Sequence, residues 1–169
     1  MKPAYIICAY KRPDLLIRLV KSLQGAPVAI HVDRKSDIFG AVQAQLSGLP
    51  NVTFLPRHLC HWGLFGHVEA SLEGMEWFLN TSCNYAIRLT GQCYPLQPQS
   101  KIQNDLAGLN GRSVIATKSF PVAAWSEYEQ GGYKRIERFY FKFGNRVQPR
   151  SIKLWTRNPH HPSVFPMLG

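Results

Sequence analysis

Three short apolar runs constrain this chain most: residues 4–9, 28–32 and 85–89, each followed at once by polar, turn-forming residues. Runs of five or six apolar residues are too short for a buried helix. The unbroken apolarity of residues 4–9 marks a strand covered on both faces, which is the habit of parallel sheets, and the other two runs are interrupted only by His31 and Arg88. Between the first two runs, Pro13 suits a first helical turn. Leu16, Leu19, Val20 and Leu23 follow at helical spacing, with Arg18 and Lys21 on the other side. A weaker helix over 38–46 and a short strand over 51–55 continue the alternation. Strand, helix, strand, helix, strand predicts an α/β fold, a mostly parallel Rossmann-type sheet flanked by helices.

The pattern extends further. Residues 67–79 read as a helix whose stripe Val68, Leu72, Met75 and Leu79 is predicted to face the core, with Glu69, Glu73 and Glu76 turned away. A strand over 85–89 and a helix over 98–109 follow, the latter closed by Asn110-Gly111, and then a fifth strand over 114–117. Beyond Ser119 the periodicity decays into an aromatic loop, a basic segment over 133–143 read as helical, and a proline-rich, irregular tail. A length of 169 residues predicts a single domain, with residues 1–118 as its α/β core and 119–169 as an irregular basic part.

The formal charge of +10 is concentrated late in the chain. Residues 133–157 hold Lys134, Arg135, Arg138, Lys142, Arg146, Arg150, Lys153 and Arg157 against Glu137 alone. Such a block attracts phosphates, an acidic membrane surface or nucleic acid. Tyr133, Phe139, Tyr140, Phe141 and Phe143 interleave with these bases as in single-strand binders, although aromatics at this density equally build cores. No apolar stretch is long enough to span a bilayer, and the opening run is too short for a signal peptide. A cytoplasmic chain is expected, with peripheral contact to an acidic membrane as an option. Cys8, Cys60, Cys83 and Cys93 form no CxxC pair and are expected as free thiols.

The chemistry is expected where strands end. Tyr10-Lys11-Arg12, Asp33-Arg34-Lys35 and Thr90-Gly91-Gln92 each close a predicted strand. In a parallel sheet all three meet at one edge, where ligands of open α/β sheets bind. A carboxylate for nucleoside hydroxyls and amides beside cations for phosphates predicts a nucleotide pocket. No GxGxxG follows the first strand and no GxxxxGK[ST] occurs, which argues against dinucleotide and triphosphate folds. No Asp-x-Asp is present to hold a divalent cation. Glu127 and Glu129 read as surface charges, so no metal or other cofactor is expected, and leaving-group charge would fall to Arg and Lys. His31, inside a strand, reads as a hydrogen-bonded core residue. His58 and His61 read as too isolated from acids for a metal site.

Four stretches, Ala9-Tyr10-Lys11-Arg12-Pro13, His31-Val32-Asp33-Arg34-Lys35, His61-Trp62-Gly63 and Leu89-Thr90-Gly91-Gln92-Cys93-Tyr94-Pro95-Leu96, occur in order and at matching intervals. Together they resemble the core-2/I-branching β-1,6-N-acetylglucosaminyltransferase family, which also holds peptide O-xylosyltransferases. The resemblance implies a GT-A-like fold and a UDP-sugar donor. It also implies metal-independent, inverting transfer of GlcNAc or xylose to a hydroxyl of a glycan or glycoconjugate. By motif, Asp33 would contact the uridine, with Ala9, Tyr10 and Arg12 forming the adjacent wall and Lys35 beside them. Trp62, Gly91 and Gln92 would shape the donor pocket, and Lys134 and Arg135 would lie on the acceptor side. Two departures stand out. Cys93 replaces an acid common among relatives, and a thiol cannot accept hydrogen bonds as a carboxylate does. The family's acidic motif supplying the general base, which takes the acceptor proton, has no counterpart here. The chain is therefore expected to be an N-terminal portion of a longer enzyme or a short relative. A non-catalytic nucleotide-sugar-binding module remains the alternative, with homodimerisation as one way to cover apolar surface.

Overall fold

A computed structural model describes residues 1–23, 25–61, 64–125, 132–133, 139–143 and 146–152. The chain forms two compact units, Met1–Ser113 and Val114–Gly169. The first is an α/β unit in the order β1 (Pro3–Ala9), α1 (Pro13–Ser22), β2 (Val28–Val32), α2 (Phe39–Leu46), β3 (Val52–Phe54), α3 (Gly66–Leu79), β4 (Tyr85–Thr90) and α4 (Gln99–Gly108). Its four strands run parallel in the order β3-β2-β1-β4. Tyr5 pairs with Val28 on one side and with Ile87 on the other. The expected fold class is thus the one observed.

The apolar runs become strands because both sheet faces are covered at β1 and β2. On one face Tyr5, Ile7, Val28 and Ile30 pack with Leu16, Leu19 and Leu23 of α1 and with Val42 and Leu46 of α2. Pro13 starts α1 as expected, Asp14 lies in its first turn and Lys21 in its last, a charge order that complements the helix dipole.

The other face is covered by α3, and here one expectation is overturned. The residues α3 buries are Gly66, Ala70 and Gly74, whereas Val68, Leu72, Met75 and Leu79 are between 44% and 79% exposed. The small residues let the helix lie against the sheet at short range. A Cβ on Gly74 would sit 2.3 Å from Ile6 Cγ2, far inside van der Waals contact. Gly74→Ala is accordingly expected to lower stability by about 1–3 kcal/mol through overpacking, while Met75→Ala changes it by less than about 0.5 kcal/mol. Urea denaturation of the two variants checks the contrast.

The expected strand over 114–117 does not form. Residues 112–119 carry no regular structure, and Val114 and Ile115 are each 77% exposed. Among the described residues no partner strand offers this run a hydrogen-bond ladder, and a short extended segment has no stability without one. In the second unit, the stretch expected as helix contains β5 (Phe139–Phe143), and the tail expected to be irregular contains β6 (Arg146–Ile152). They pair antiparallel with a register irregularity between Phe139 and Phe141. The Phe-Tyr-Phe-Lys-Phe sequence favours a pleated strand over a helix, and Pro149 is tolerated because a two-stranded ribbon has only edge strands. Among the described residues no helix is long and apolar enough to cross a membrane.

Candidate functional site

The strand order places a topological switch point between β1 and β4. The chain steps outward from β1 through β2 to β3, then crosses back to add β4 on the other side of β1. In open α/β sheets the crevice beyond the carboxyl ends at such a point is the binding site. A cleft of about 120 Å³ lies there. Cys8, Ala9, Tyr10 and Lys11 from the end of β1 line one side, and Arg88, Thr90, Gly91 and Gln92 from the end of β4 line the other. His31, Asp33, Cys60 and His67 complete the wall.

The close approach of β1 and β4 depends on Gly91. Its N–H donates to Cys8 O at 3.0 Å, and a Cβ there would stand 2.7 Å from Ala9 Cβ. Cys93 closes the same turn: Thr90 N–H donates to its Sγ at 3.4 Å, and the Thr90 hydroxyl lies 3.3 Å from it. The Cys93 thiol is thus engaged within its own turn.

Asp33 is only 3% exposed, and its carboxylate is tied on two sides. Oδ1 accepts from the Lys35 N–H at 3.1 Å and from the Cys60 N–H at 3.3 Å. Oδ2 lies 3.5 Å from Lys35 Nζ, and that ammonium also donates to Cys60 O at 2.7 Å. Asp33 therefore joins the loop after β2 to the loop after β3 while lining the cleft. The two loops are also joined through Arg34 N–H, which donates to His58 O at 2.9 Å.

Arg57 organises this corner and was not singled out by sequence reasoning. Its Nε donates to Val32 O at 3.2 Å. Its Nη2 donates to Asp33 O at 2.9 Å, Arg34 O at 3.0 Å and Ser36 O at 2.9 Å, two N–H groups shared among three carbonyls. The guanidinium also lies over the Phe39 ring, 4.4 Å from its centroid. The signal was present in the sequence: Leu55-Pro56-Arg57 follows the third strand and so reaches the same sheet edge as the other strand ends.

His31 is the buried, hydrogen-bonded strand residue expected. Its Nε2 accepts the His58 N–H at 3.0 Å, and the two rings stack 5.7 Å apart. Burial, reinforced by His58, pushes its pKa down to about 4 against the opposing pull of Asp33, so it is neutral at pH 7. The expectation that His58 is isolated from acids is corrected. It lies 3.8 Å from Glu69 and 3.4 Å from Glu73, because one turn of α3 brings both carboxylates to the loop after β3. These glutamates therefore do not simply face away. Among the described residues no group of His, Cys, Asp and Glu is arranged to hold a metal ion. The Cys60 thiol donates to Gly66 O at 3.3 Å, and burial, together with nearby Asp33, raises its pKa to about 11. It is an unreactive structural thiol rather than a nucleophile.

Of the site residues read from the sequence, Ala9, Tyr10, Asp33, Gly91 and Gln92 come together in the cleft wall. Lys35 stands behind Asp33 as its counter-ion. Arg12 takes a left-handed backbone (φ 57°) as the N-cap of α1, and its exposed guanidinium grips Asp14 through two hydrogen bonds of 3.2 and 3.0 Å. Trp62, Lys134 and Arg135 lie outside the described residues, as do Glu127 and Glu129.

A family model described as Branch, Core-2/I-Branching enzyme, matches residues 4–156. No curated protein matches the chain.

Proposed function

From the chain's membership of the core-2/I-branching enzyme family, a family of glycosyltransferases, we propose that the cleft at the β1/β4 switch point binds a UDP-sugar. The donor would carry GlcNAc or xylose, for transfer with inversion to a hydroxyl of a glycan acceptor. The observation that carries this reading is the meeting of Asp33 with Lys11, Arg88 and Gly91 at one strand edge. In this reading Asp33 accepts an N–H or O–H of the nucleoside. Lys11 and Arg88 supply positive charge for the diphosphate, so that the leaving group is stabilised by side chains and no metal is required. Gly91 lets the end of β4 lie against Ala9, which sets the spacing of the two strand ends that flank the cleft.

A second reading is favoured by the state of Asp33. It is the sole carboxylate among the described residues of the cleft wall, and it is already committed to Lys35 and two N–H groups, so it is poorly disposed to accept the acceptor's proton. A donor-binding chain without turnover is consistent with that.

Thermal unfolding with added UDP tests the proposal. A ligand that binds only the folded state at one hundred times its Kd adds about 2.7 kcal/mol. Millimolar UDP is expected to raise Tm by several degrees, and GDP or CMP by less. Asp33→Asn keeps an oxygen for the two N–H donors and removes the charge, and is expected to weaken UDP about tenfold. Equal stabilisation by UDP and by inorganic pyrophosphate would sink the nucleoside assignment. Release of UDP from UDP-GlcNAc or UDP-xylose separates catalysis from binding alone.

A further inference from the structure

The face of α3 turned away from the sheet carries an exposed apolar row. Phe65, the N-cap, is 62% exposed, Val68 44%, Leu72 52%, Met75 50% and Leu79 79%. Successive members are three, four, three and four residues apart, the spacing of a coiled-coil seam. Large apolar residues scattered singly on a surface need no explanation, whereas a contiguous row marks a contact site. The row is not spent on folding. Gly66, Ala70 and Gly74 are the residues α3 buries, and they lie on the opposite side of the helix.

The two flanks of the row differ in chemistry. On a helix of about 3.6 residues per turn, Glu69, Glu73 and Glu76 fall along one side of it, and Ser71 and Phe78 along the other. The helix contains no Lys or Arg, in a chain whose formal charge is +10. Glu69 and Glu73 lie beside His58. Glu76 is exposed and, among the described residues, is in no ion pair. It also sits in the last turn of α3, where the helix dipole opposes a negative charge. The stability of the helix therefore does not account for it.

We propose that this face of α3 docks an amphipathic helix of a partner protein. The partner helix carries apolar residues at the same spacing, and Lys or Arg on the flank that meets the three glutamates. The spacing selects a helix as occupant, because knobs recurring every three and four residues fit the holes of another helix at a shallow crossing angle. The glutamates set the sign of the partner, since charges beside an apolar seam decide partner and orientation. A second copy of the chain fits less well. Its α3 brings no cation, and antiparallel pairing lays one glutamate flank against the other. An anionic membrane surface is repelled by the same glutamates.

Titration of the whole chain with two synthetic helical peptides tests the proposal. Both carry Leu at the seam positions; one has Lys at the flanking positions and its twin has Glu. At low salt the Lys peptide is expected to bind about tenfold more tightly than the twin, an advantage that shrinks as salt is added. ¹H–¹⁵N spectra should show its saturable shifts at Val68, Leu72, Met75 and Glu76. Leu72→Lys combined with Met75→Lys should weaken the Lys peptide about tenfold and, because both side chains are half exposed, leave Tm nearly unchanged. Glu76→Lys, which suits the helix dipole, should narrow the gap between the peptides while leaving the seam intact. Equal binding of the two peptides, or binding of neither, overturns the proposal. So does a parent chain that sediments as a dimer and becomes a monomer with Leu72→Lys, which assigns the face to a second copy. Stabilisation by UDP should be the same in Leu72→Lys as in the parent, so this docking and the nucleotide reading stand or fail separately.

Discussion

Arg57→Ala is expected to lower the unfolding free energy by about 3 kcal/mol and, with it, UDP affinity by at least tenfold. One side chain satisfies four carbonyls of residues 32–36, and hydrogen bonds to a charged group contribute about 1.5–3 kcal/mol each. Arg57 is half-buried, so water recovers part of this in the variant, which holds the loss near 3 rather than at the sum. For a chain of this size the loss corresponds to a Tm lower by roughly 6–12 °C. The effect on ligand binding follows because these carbonyls belong to the loop that carries Asp33 and Lys35. Arg57→Lys is expected to recover little, since an ammonium has no planar fork to span four acceptors. Chemical denaturation gives the stability, and calorimetric titration with UDP gives the affinity. Unchanged UDP affinity in a folded Arg57→Ala protein would show that the loop is positioned by other contacts.

Acidification should destabilise the chain through His31, by roughly 3 kcal/mol at most. The folded pKa of about 4 lies below the ordinary value of 6.5. As pH falls below 6.5 the unfolded chain takes up a proton that the folded chain refuses. The stabilisation is thus fully present above pH 6.5, is lost progressively down to about pH 4, and falls no further below it. The cause is burial: the ring is enclosed between sheet and loop, stacked on His58, and spends Nε2 on the His58 N–H. His31→Gln retains an acceptor for that N–H and has no proton to gain. Urea denaturation at pH 7, 5.5 and 4 should show the slope in the parent and a shallower one in the variant. Parallel slopes would assign the acid sensitivity elsewhere.

How far the site was legible follows from what local patterns encode. Three strand ends were visible because an apolar run that stops at charged and turn-forming residues needs no knowledge of the rest of the chain. The third strand is short and half-buried, so its end was passed over and Arg57 with it. Lys35 was legible as a cation, but its role as the counter-ion of Asp33 required the loop after β3 to supply Cys60. Similarly, Glu69 and Glu73 were legible as one helix face, while their approach to His58 was not, because nothing in periodicity says what lies opposite.

By itself the sequence determined the alternation of strands and helices, the parallel sheet this implies, and the gathering of Asp33, Tyr10 and Gly91 at one edge. All of these rest on local residue order and on the fixed geometry of strands and helices. The tertiary structure alone decided which face of α3 meets the sheet, which run finds a pairing partner, and which charges neutralise one another. Those outcomes depend on fit. Gly74 lets the α3 backbone approach Ile6, and Gly66 lets it approach Leu59 and Cys60, where residues as large as Leu72 and Met75 cannot fit. Residues 114–117 form no strand, since no ladder neighbours them among the described residues. Hydrophobic patterning ranks residues by their cost in water, but close packing selects among faces by shape, and shape is settled only when the partners are in place.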